Sequence, residues 1–96
     1  MTKMWALLAW DNKAVDIGEI DADADRVREV WNVRNLIFWS AKAGGLSGVA
    51  TEGPASDCRL SAKADYIKRP ECKLLLVIPL TDEARAKIEK FPVWRG

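Results

Sequence analysis

Ninety-six residues at a net charge of +1 fit one domain, with no global field to gather nucleic acid or anionic membrane. Histidine is absent, which removes Ser-His-Asp and Cys-His nucleophiles, His-containing zinc sites and a pH switch near neutrality. The two cysteines, Cys58 and Cys72, are too few for a disulfide scaffold or a four-cysteine zinc site and read as reduced, buried thiols.

Residues 3–10 predict the first strand. Their apolar run is too short to cross a bilayer and has no small-residue cleavage site behind it, so a cytoplasmic protein is expected. Asp11-Asn12 offers a tight turn into a second strand over 14–20. Asp21, Asp23 and Asp25 then resemble a helix start, with Val27, Val30 and Trp31 on one face, predicting a helix over about 22–33. Leu36 to Trp39 suit a strand within 35–43.

Residues 43–57 hold four of the six glycines and read as a long mobile loop outside the core. Cys58 to Tyr66 alternate, placing Cys58, Leu60, Ala62, Ala64 and Tyr66 on an inner face. A turn at 68–71, bent by Pro70, leads into Leu74–Ile78. This uninterrupted apolar run predicts the central strand, buried on both faces and paired back antiparallel on 58–66. Thr81 caps a last helix in which Ala84, Ile88 and Phe91 form an apolar stripe, and Pro92 ends it. The expected fold is α+β: a mostly antiparallel sheet of four to five strands with two helices on one face, in the order ββαβββα.

No constellation for chemistry stands out. Asp21, Asp23 and Asp25 have the spacing of the first EF-hand ligands, but the required Gly and Glu are Arg26 and Asn32. Gly45-Leu46-Ser47-Gly48 matches the nucleotide-clamping GxxG only in its glycines, and no Gly-Lys-Ser follows for a phosphate loop. Ser61 and Lys63 share a strand face without further support for a nucleophile. No enzyme, cofactor or metal is therefore expected.

Five tryptophans in so short a chain are the unusual feature, and Trp is enriched at binding hot spots. The leading expectation is a non-enzymatic module that binds another protein and modulates or blocks it, through Trp39, Trp94 and Arg95. Phage-borne inhibitors of bacterial defence systems are one such class of small domain. One alternative is a weak binder of single-stranded nucleic acid using Arg59, Lys63, Lys68, Arg69 and Lys73 beside Tyr66; another is a small enzyme or ligand-binding domain with no recognisable motif.

Overall fold

Lys3–Trp10 (β1) and Val15–Asp21 (β2) form the expected antiparallel hairpin, Leu7 facing Ile17 and Leu8 facing Asp16. In this computed structural model, which describes residues 2–95, that hairpin is the middle of the sheet. The left-handed residue of its turn is Lys13, with the Asn12 side chain accepting from the Ala14 N–H. Glu29–Phe38 (β3) lies beside β2, and Leu74–Pro79 (β6) lies beside β1. Arg59–Leu60 (β4) and Ala64–Lys68 (β5) both pair with β3, on its side away from β2. All the strand pairs are antiparallel.

Gly45–Glu52 (α1) and Asp82–Lys90 (α2) cover one face of the sheet. Val49 and Ala50 of α1, with Ala84 and Ile88 of α2, pack on Leu7, Ile17, Leu36 and Leu60. Thr81 caps α2 through its side chain, as its sequence predicts. On the other face Ala6, Leu8, Trp10, Ile20, Val30 and Val33 make a second core. Among the described residues no helix lies over it. Val27 and Cys72, from the connections before β3 and before β6, pack against it instead.

The α+β class, the two helices and the antiparallel sheet are those expected, but the first helix stands elsewhere. Residues 22–33 are not helical: a turn leads into β3. The three-residue spacing of Val30 and Val33 comes from a bulge. Ile17 faces Arg34 while Glu19 faces Trp31, so Gly18 opposes an extra residue, and Asn32 takes a left-handed φ of 51°. The bulge returns both valines to one face; of the expected stripe, Val27 packs beside Val30 from the turn before β3, and Trp31 is not part of that core. A Cβ on Gly18 would lie 2.8 Å from the Trp31 carbonyl oxygen, which is why glycine stands there.

The helix comes instead from the glycine-rich 43–57 stretch, which is core rather than mobile loop. Leu46, Val49 and Ala50 pack against the helix-side core, and that packing overrides the poor propensity of glycine. Gly48 sits against the preceding turn: a Cβ there would lie 1.7 Å from the Ala43 carbonyl oxygen. Leu74–Ile78 is also not the central strand. Among the described residues it pairs only with β1, at the end of the sheet, and leaves Leu75, Leu76 and Val77 exposed. Nor does it pair with 58–66, because residues 69–73 carry the chain across to the opposite edge. The 58–66 strand is broken at 61–63, and its inner face stops at Cys58 and Leu60, with Ala62, Ala64 and Tyr66 exposed.

Two buried charges hold this arrangement. Asp16 is wholly buried and accepts from Trp10 Nε1 at 2.8 Å, Arg69 Nε at 2.7 Å, Arg69 Nη2 at 3.1 Å and Asn35 Nδ2 at 2.5 Å. The bonds of Arg69 to the Asp16 carboxylate raise its pKa against the lowering effect of its burial. On the helix side Arg34 is buried among carbonyls. It donates to Ser61 O at 2.7 Å, Ile88 O at 2.6 Å, Phe91 O at 2.8 Å and Pro92 O at 3.3 Å. Desolvation pulls its pKa down. Arg34 therefore ties the C-terminal end of α2 to β3.

Arg34→Met should cost about 3 kcal/mol or more in urea unfolding, because several carbonyls lose their donor at once. Gly48→Ala should lower Tm by about 10 °C or more, since a methyl group cannot coexist with the Ala43 carbonyl. A Tm near wild type would mean that α1 does not pack as described.

Candidate protein interface

Beyond Pro92 the chain runs extended along the outside of β4. Val93 bridges Leu60 in parallel, and the Trp94 N–H donates to Leu60 O at 2.9 Å. This tail is positioned at its root by Arg34, whose guanidinium holds the Phe91 and Pro92 carbonyls. Trp94 thereby comes beside Arg59 of β4, and Arg59 beside Phe38 at the end of β3. The Arg59 guanidinium carbon lies 5.2 Å from the Trp94 ring centroid and 5.3 Å from that of Phe38. Both are cation–π contacts, and both rings remain 42% exposed. Ile37 and Val93 add further exposed apolar surface from the same elements.

The residues expected at a site divide accordingly. Trp94 is exposed and stacked on Arg59, and Arg95, next to it, is exposed. Trp39 is half-buried and packs against the helix-side core, so it contributes to folding rather than to an open surface. Of the basic residues, Arg59 joins the aromatic stack. Lys63 follows β4 and Lys68 ends β5, both exposed. Arg69 turns inward to Asp16, and Lys73 lies at the far side of the sheet, where its carbonyl accepts from Asp11 N. The segment 58–73 is thus no single basic face: residues 69–73 pass beneath the sheet instead of turning back on β5. Sequence reading missed Phe38, whose meeting with Arg59 and Trp94 is made by strand pairing between distant segments.

Other polar groups are occupied in holding the fold. The Ser61 hydroxyl accepts from the Asn35 N–H at 2.8 Å and donates to Ala62 O. Asp21 accepts from the Asp23 N–H in a turn. Among the described residues no three of His, Cys, Asp and Glu gather as a metal would need. A groove of about 390 Å³ runs beside the end of α2, with Ile17, Ile88 and Phe91 on its apolar side and Arg34, Lys63 and Glu89 on its polar side. Arg34 commits most of its donors to the carbonyls above. No helix among the described residues is long and apolar enough to cross a membrane.

Residues 7–88 match a domain of unknown function, DUF6948. The chain belongs to that family. No curated protein and no solved structure matches it. The family match runs from β1 into α2 and includes Phe38 and Arg59, but stops short of Val93 and Trp94.

Cys58 and Cys72 are both free and belong to the cores on opposite faces of the sheet. Burial pushes the Cys58 thiol up, with the nearby Asp57 charge adding to the rise. A disulfide reagent at pH 8 should therefore label Cys72 well before Cys58, with both reacting after denaturation. Equal rates in the native protein would contradict the placement of Cys58.

Proposed function

We propose that the protein is a non-enzymatic module that docks another protein on the Phe38–Arg59–Trp94 stack and so modulates or blocks it. The observation that carries this reading is an arginine between two exposed aromatic rings. Trp and Arg dominate interface hot spots because each supplies a large, stiff contact surface with a polar edge. The stack stands on strand backbone and on a tail held by Arg34, so little ordering remains to be done on binding. Modulation or blocking follows if the docked surface is one that the partner itself uses.

The same stack has the chemistry to hold unpaired bases, with Lys63 and Lys68 nearby in the chain. The loss of Arg69 to Asp16 and the distance of Lys73 weaken that second reading.

Trp94→Ala separates a site from a structural prop. The ring is half in water, so Tm should fall by no more than about 5 °C, the size of an exposed cation–π contact. Affinity for a protein captured from the native host should fall at least about tenfold, or ~1.4 kcal/mol. Unchanged affinity would sink the proposal. An oligonucleotide ligand whose binding collapses between ~50 and ~200 mM salt would favour the second reading, because phosphate contacts release counterions.

A further inference from the structure

The two edges of the sheet are finished differently. At the β4 edge the tail through Val93 and Trp94 occupies the outer side of Leu60. Next to it, β5 carries Asp65 and Lys68, charges that discourage strand addition. Among the described residues nothing pairs with the outer side of β6. That edge presents Leu75, Leu76 and Val77 at 64%, 41% and 37% exposure, with no charge between Lys73 and Asp82.

We propose that β6 pairs antiparallel with β6 of a second copy of this chain, about a two-fold axis at Val77, joining the two sheets into one. The backbone sets this register. Leu80 N–H donates inward to Trp5 O, and the antiparallel ladder alternates, so Ile78 also points to β1 while Val77 and Pro79 point outward. Pro79, which has no N–H, is tolerated for that reason. Centring the axis on Val77 gives that residue a reciprocal pair of N–H···O bonds with its counterpart. It keeps Pro79 at one margin of the ladder and the irregularity at Leu75 at the other.

Two further features favour a second copy over an unrelated strand. The edge carries no charge from Leu74 to Thr81, so two copies meet along it without like charges opposed. A two-fold interface also needs only one self-complementary patch. The uninterrupted run Leu74–Ile78 has the composition of an interior strand, and pairing makes it one. The dimer would carry its two Phe38–Arg59–Trp94 stacks at opposite ends of the joined sheet, where each could engage a partner.

Sedimentation equilibrium and light scattering on the full chain test this, from about 1 to 100 µM. Wild type should run as a dimer in that range. Val77→Pro removes only an outward N–H and should leave the circular dichroism spectrum native while shifting the dimer constant at least tenfold towards monomer. If Val77→Pro fails to fold, Leu75→Lys, at the most exposed position of the edge, serves in its place with the same expected shift. Hydrogen exchange adds a local readout: the Val77 amide should be protected at the high concentration and not at the low. A wild type that stays monomeric at 100 µM would overturn the proposal. So would a dimer that survives a folded edge variant, or one that Trp94→Ala abolishes.

Discussion

Two neighbouring rungs between β2 and β3 bind the molecule together. In one, Asp16 faces Asn35; in the next, Ile17 faces Arg34. Adjacent strand residues point to opposite faces, so this short stretch sends a carboxylate and an amide to one side and a guanidinium to the other. On the first side Asp16 draws in Trp10 from β1 and Arg69 from the connection to β6. On the second, Arg34 draws in Ser61, just after β4, and the end of α2 through Ile88 and Phe91. Segments far apart in sequence are thus fixed to one point in the sheet.

The two charges are handled differently. Asp16 has a cationic partner, and each of its oxygens accepts more than one bond, so a fully buried carboxylate is tolerated. Arg34 has no carboxylate among these bonds and is satisfied by carbonyl dipoles, three of them at the end of α2. A helix C-terminus carries partial negative charge and unpaired carbonyls, which suits a cation there. Arg34 thus closes the helix and also aims the tail that carries Trp94, which couples the candidate interface to the core.

What the sequence revealed and what it hid follow from the range of the interactions. The β1–β2 hairpin and α2 were legible because their signals are local: a turn, a cap, an apolar stripe. β3 was legible only at its end, Leu36 to Phe38; its first half read as helix because Val27, in the turn before the strand, and Val30 pack in one core at a three-residue spacing. α1 was hidden by its glycines, whose propensity is overruled by packing onto a sheet that sequence alone does not display. For the site, Trp94 and Arg59 were visible as residue types, but placed in competing readings. Only the pairing of the tail with β4, and of β4 with β3, makes them one surface with Phe38.

β6 belongs to neither group. Its apolar run describes a strand with neighbours on both sides, whereas the single chain supplies one. Burial by composition and burial by position disagree here over three consecutive residues, Leu75 to Val77. Elsewhere the large aliphatic residues of the sheet interior, Leu7, Leu8, Ile17 and Ile20, are covered as their patterns require. Exposed aliphatic side chains on a strand with free N–H and C=O groups expose both hydrophobic surface and unmet hydrogen bonds at the same place. One event, the addition of a strand, removes both.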